Sequence, residues 1–223
     1  MKNRERLIVG SIFAVLVFGW LGFLLHVSPR FAGSGIGAVF GISGATLMLF
    51  PLCYVVVKRI PFFKAHLTKY VSLQTWMSVH VYTGIVGALL ALIHTGHKYN
   101  SQLGIALTAT MMLVIVSGFV LRYLVPFVNL DIKDKLILLQ TARGDLDNAW
   151  VLMEKSGGET LPDPVTTLAE GVADLEYSVR TDELLKRWFS RALIVHIALS
   201  VVLYGMLAAH ITASIYFGLR WLR

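Results

Sequence analysis

Seven histidines are the residues of this chain best suited to chemistry: His26, His66, His80, His94, His97, His196 and His210. Four of them, His80, His94, His196 and His210, fall deep inside long apolar runs. An ionisable side chain at such a position is costly and points to function. The four come in two pairs of equal spacing: fourteen residues separate His80 from His94, and fourteen separate His196 from His210. A neutral imidazole is a common metal ligand, so the repeated spacing suggests two metal-centred groups, each held by one histidine from each run. Cys53 adds nothing to this chemistry. It lies in an apolar run and reads as inert packing, and no Cys-x-x-Cys-His is present for covalent haem attachment.

The elements that carry these histidines read as membrane helices. Of 223 residues, 56% are hydrophobic and 15% charged, with a mean hydropathy of +0.69. The apolar residues gather in runs of about 20 or more, the length that crosses a bilayer core. This excludes a secreted mini-protein, a disordered tail and a nucleic-acid-binding domain. The net charge of +7 is read as loop charge beside membrane lipid. Five spans are expected: Leu7 to Val27, Ile36 to Val57 with Pro51 as a kink, Val71 to Thr95, Leu103 to Leu124, and Phe189 to Leu219. The first is read as a retained helix, because its apolar stretch is too long for a signal peptide. The expected fold class is therefore an all-α integral membrane protein with five transmembrane helices, a four-helix-type bundle carrying the paired histidines, and a cytoplasmic helical insertion. Its divisions are residues 1–70, two helices and a basic loop; 71–126, the third and fourth helices; 127–187, a polar insertion; and 188–223, the fifth helix.

The insertion holds 12 of the 13 acidic residues and 7 basic ones, a net of −5. Within it, helical spacing predicts one helix over Asp134 to Lys155 and a second from Asp163 to about Tyr177. Thr181-Asp182-Glu183 is read as a cap on the approach to the last span. With the N-terminus in the cytoplasm, sixteen Lys and Arg lie inside and four outside, the expected bias. The insertion is then cytoplasmic and the C-terminus outside, in a membrane of the bacterial inner-membrane type.

Fourteen residues are just under four helical turns, so both histidines of a pair leave nearly the same face, about 21 Å apart along the axis. One crossing separates the third and fifth helices, which makes them parallel. His80 then shares a depth with His196, and His94 with His210. An iron porphyrin fits between two such helices, with one imidazole on each side of the ring. His80, Gly84, Gly87, Ala91 and His94 share an arc of about 80°. Gly84 and Gly87 there would leave room for flat macrocycles, or else let helices pack closely. Gly37, Gly41 and Gly44 on the second helix are read first as packing.

Parallel helices each bearing His-x13-His resemble the di-haem core of b-type membrane cytochromes. That class includes cytochrome b of the bc complexes and the transmembrane domain of ferric reductases and NADPH oxidases. The resemblance covers about Val71 to Leu219 without the insertion, and the chain has no Pro-Glu-Trp-like quinol-site signature. It implies two non-covalent b haems, metal ligation by His80, His196, His94 and His210, and electron transfer across the membrane, with a quinone as an optional partner. Residues after the last span are too few for a flavin or nicotinamide domain. Donor and acceptor are therefore expected from other subunits of a redox complex: an iron–sulfur protein, a flavoprotein or a multihaem cytochrome.

Secondary candidates surround the four ligands. His97, one turn beyond His94, suits a haem propionate, a quinone pocket or an external redox partner, or else faces solvent. Arg191, five residues before His196, suits an inner propionate or a positive-inside anchor. His26 and His66 read as interface residues, and Trp76, Trp188 and Trp221 as an aromatic belt. Two rival functions stand beside this one. A proton or ion transporter using a histidine relay would want carboxylates inside the spans, and the spans carry none. A non-redox membrane anchor gives no reason for two matched spacings.

Overall fold

The computed structural model describes residues 2–22, 28, 30–96, 101–124, 132–155, 157 and 163–219. Among them all regular structure is helical. The elements are α1 (Lys2–Gly22), α2 (Gly35–Arg59), α3 (Pro61–Leu67), α4 (Leu73–His94), α5 (Gln102–Phe119), a π-helical turn over Val120–Leu124, α6 (Lys133–Lys155) and α7 (Asp163–Leu219).

Among the described residues, four helices are long and apolar enough to cross a membrane: Gly35–Arg59, Leu73–His94, Gln102–Tyr123 and the apolar part of Val165–Phe217. In α1 the apolar stretch covers Leu7–Leu21, short of the roughly 20 residues a span needs. The rest of the expected first span, residues 23–27, lies outside the described residues. The candidate spans turn apolar side chains outward. Ile36, Val39, Ile42, Ile194 and Val201 are all well exposed, an arrangement compatible with lipid on that side and costly in water.

Local chemistry explains where the helices stop and start. Ser34 caps α2, its hydroxyl accepting from the Gly37 N–H at 3.0 Å, and Ser72 caps α4 by accepting from Thr75 N–H at 3.1 Å. The expected Lys58–Tyr70 loop instead contains α3. Ile60 precedes a proline and is extended (φ −96°, ψ 114°), which ends α2. Pro61 then opens α3 with its fixed φ at a position where no N–H is needed. Gly96 sits just past α4 at φ +54°, the left-handed stop that glycine adopts without strain.

Two compact units are present: Met1–Gly118 with His196–Arg223, and Phe119–Val195. In the first, α2 and α4 pack backbone to backbone. A Cβ on Gly44 would lie 2.8 Å from Ala91 N and 2.9 Å from Gly87 O, and one on Gly87 would lie 2.9 Å from Met48 Cγ. Gly87 lies in the α2–α4 packing contact, against Met48 and Gly44. Gly84 meets only the Pro51 ring, at an ordinary 3.8 Å.

The second unit is an antiparallel helical hairpin built from α6 and the first part of α7. Ile132 and Leu139, seven residues apart, pack with Val172 and Val179, and Ala142, Leu146 and Leu175 close the seam. This is a heptad pattern on both strands of the hairpin. Lys135 and Asp182 occupy seam positions at one end and form a 2.5 Å ion pair, with Ser178 also accepting from Lys135 at 2.8 Å. Arg143 and Glu176 pair farther along on an exposed face.

The expected break near Tyr177 does not occur. The helix runs unbroken from Asp163 to Leu219. Thr181 caps nothing: its hydroxyl donates back to the Tyr177 carbonyl at 2.8 Å, a bond compatible with helix interior. Asp182 is drawn inward by Lys135. With no proline after residue 164, nothing in the segment opposes continuation.

The seam pair has a measurable consequence. Lys135→Met should lower the stability of the hairpin by about 2 kcal/mol, because Asp182 is then a largely buried carboxylate without its cation. Adding Asp182→Leu should restore most of the loss. Amide exchange in α6 reports both, and a double variant as unstable as the single one would refute the pairing.

Candidate functional site

The four spaced histidines are half-buried and lie in the first unit. His80 and His196 are within electrostatic reach of each other, as are His94 and His210.

Each α4 imidazole is anchored on α2. His80 Nδ1 lies 3.1 Å from the Pro51 carbonyl oxygen, and His94 Nδ1 lies 2.7 Å from that of Gly37. A carbonyl can only accept, so Nδ1 carries the proton in both rings. The lone pair is then on Nε2, which is the tautomer a metal-ligating histidine adopts when its other nitrogen is held by a backbone carbonyl. Gly37 and Pro51 are themselves fourteen residues apart on a helix antiparallel to α4. One packing register therefore satisfies both rings.

His196 is held differently. Its Nδ1 lies 2.9 Å from Ser117 Oγ on α5. The Ser117 hydroxyl also lies 3.0 Å from the Val114 carbonyl; with its proton there, its oxygen accepts from His196 Nδ1. His210 has no anchoring hydrogen bond among the described residues. The position fourteen before Ser117 is Leu103, which offers no acceptor side chain.

Glycines let the rings approach. A Cβ on Gly41 would lie 2.8 Å from His94 Nδ1, and one on Gly118 would lie 3.0 Å from His196 Cε1. Tyr54 meets His80 edge-on, with ring centroids 5.3 Å apart. Between the α7 histidines, Leu203 and Leu207 are buried, and the Tyr204 hydroxyl donates to the Met48 carbonyl at 2.7 Å. Pro51 lacks the N–H that would bond back to the Leu47 carbonyl within α2.

Among the described residues no three His, Cys, Asp or Glu side chains converge as they would for a bare metal ion. A porphyrin iron asks for only two protein ligands, since the ring supplies four nitrogens. The donor set present fits that requirement in number: two pairs of imidazoles, with the Nδ1 of His80, His94 and His196 each engaged by another group.

Gly84 and Gly87 face α2, as described above. Arg191 lines a cleft of the second unit with Lys186 and Arg187. His66 stacks on Phe62 at the exposed surface, and Cys53 is a free, exposed thiol. His97 and His26 lie outside the described residues. Sequence reasoning missed Ser117, Gly118, Tyr204 and the Pro51 carbonyl. A signal for two of them existed, since Ser117-Gly118 places a polar acceptor and a small residue side by side in an apolar helix. No known protein family, curated protein or solved structure matches this chain.

Proposed function

We propose that this chain is the membrane subunit of an electron-transferring oxidoreductase, with His80 and His196 holding one non-covalent b haem and His94 and His210 a second. The observation that carries this reading is the shared fourteen-residue register. It relates the two histidines on α4, the two on α7 and the two carbonyls of α2 that orient the α4 rings. Chance packing or a generic membrane anchor gives no reason for all three.

A haem bound in this way supplies one-electron iron chemistry. The chain's own part is to fix the imidazoles, to set their tautomer through Pro51, Gly37 and Ser117, and to exclude water with apolar side chains such as Leu203 and Leu207. On this reading α1 completes a five-span bundle of the b-cytochrome type. The N-terminus and the α6–α7 hairpin lie in the cytoplasm and the C-terminus lies outside, in a bacterial inner membrane. Electrons pass between two sides of the bilayer, with a quinone or a redox subunit (iron–sulfur, flavin or multihaem) at each end. The acidic hairpin is the natural surface for one of those subunits, its charge aiding orientation more than affinity.

The test is the haem content of the purified chain. Pyridine haemochrome analysis should give two haems per chain, and the reduced-minus-oxidised spectrum should carry a b-type band. A colourless protein would refute the proposal, and a single haem would refute the two-pair assignment.

A further inference from the structure

At the open end of the α6–α7 hairpin lies a cleft of about 640 Å³. Lys133 enters it from α6, and Lys186, Arg187 and Arg191 enter it from α7, with Glu183 as the one acidic residue on its wall. All four cations are exposed, and none of them forms an ion pair among the described residues. Ile132 and Leu136 supply an apolar wall. The same hairpin is acidic elsewhere, so the basic residues are concentrated here against the charge of their surroundings.

The position of the cleft along α7 identifies its occupant. Arg191 is the last charged residue before Leu219, and the 28 residues that follow it contain no Asp, Glu, Lys or Arg. Trp188, well exposed, stands in the same turn, where an indole would meet the headgroup layer. The cleft thus lies where the polar part of α7 passes into its membrane-crossing part. Cations at that level suit lipid phosphates, and the exposed Leu136 beside them suits the first carbons of a lipid.

We infer that this cleft is a headgroup site for an anionic phospholipid, with Lys186, Arg187 and Arg191 on the phosphate and Lys133 closing the opposite side. The inference rests on the membrane reading of the chain but not on its haems. A bound lipid would tie the base of α6 to the start of the last span, close to where the hairpin's ion-paired seam begins at Lys135.

The experiment uses the full chain reconstituted in bilayers of phosphatidylcholine and phosphatidylglycerol in equal parts, released into neutral detergent and read by native mass spectrometry. Phosphatidylglycerol should be retained at least tenfold over phosphatidylcholine. Each cation near a membrane surface contributes enough that its loss weakens anionic-lipid binding about fivefold. Lys186→Gln/Arg187→Gln/Arg191→Gln should therefore lower retention by more than about 50-fold. The control Lys155→Gln/Arg180→Gln, outside the cleft, should leave retention unchanged. If the triple variant fails to fold, Arg191→Gln and Lys133→Gln alone should each show the fivefold loss. Equal retention of the two lipids would overturn the assignment, as would a control that loses as much lipid as the triple variant. Displacement of the lipid by millimolar inorganic phosphate would assign the site to a soluble anion instead. Haem content is measured on the same samples, so a colourless chain that retains phosphatidylglycerol would sink the haem proposal alone.

Discussion

His80→Ala and His196→Ala are each expected to leave one haem per chain, and the same one. His94→Ala and His210→Ala are expected to leave the other. The pairing follows from the proposed two-haem reading and from the equal fourteen-residue spacing on α4 and α7. On the proposed reading, removing one of the two imidazoles would leave that haem with a single protein ligand, so it should be lost or become high-spin while its neighbour keeps its bis-histidine spectrum. Redox titration distinguishes the two, since the remaining haem titrates as one component. The result that would refute the pairing is His80→Ala and His210→Ala depleting the same component.

A second large effect is expected without touching a histidine. Gly41→Leu should deplete the haem bound by His94, and Gly118→Leu the haem bound by His196. Even the first carbon of the new side chain would lie 2.8 Å from the His94 ring or 3.0 Å from the His196 ring. Each ring must then turn away from its Nδ1 partner. Overpacking of this kind costs about 1–3 kcal/mol, which corresponds to roughly a 5- to 150-fold weaker haem affinity. Gly84→Ala is the contrasting variant. Its Cβ would meet only the Pro51 ring, at an ordinary 3.8 Å, and both haems should remain. Titration of haem into the stripped variants measures each affinity. Equal affinities in Gly41→Leu and Gly84→Ala would show that the glycine beside His94 is there for some other reason.

The contrast between Gly41 and Gly87 shows how far a sequence reading of this site can go. Both are small residues at helical spacing on apolar helices, and periodicity treats them alike. In the folded chain Gly87 is filled by Met48 and Gly44, whereas Gly41 lies beneath an imidazole. The difference comes from the rotation of α2 about its axis relative to α4, and that rotation is fixed by the Gly44–Gly87 contact and by no local property of either segment. Thr181 teaches the same lesson for the hairpin. Its sequence neighbourhood suits a helix cap, yet α7 passes through it because Asp182 finds Lys135, a residue 47 positions away.

What the sequence by itself determined is whatever depends on composition and on spacing along one helix. The apolar runs of α2, α4, α5 and α7, the hairpin helices from about residue 134 and residue 163, and the two His-x13-His pairs are all of that kind. Hydropathy and the 3.6-residue period act through the chain's own covalent neighbours, so they can be read before anything folds. The tertiary structure alone decided which acceptors hold the rings. Pro51 lies 29 positions from His80, Gly37 lies 57 from His94, and Ser117 lies 79 from His196. An imidazole's tautomer is set by the acceptor its Nδ1 reaches, and that acceptor becomes a neighbour only when the helices pack.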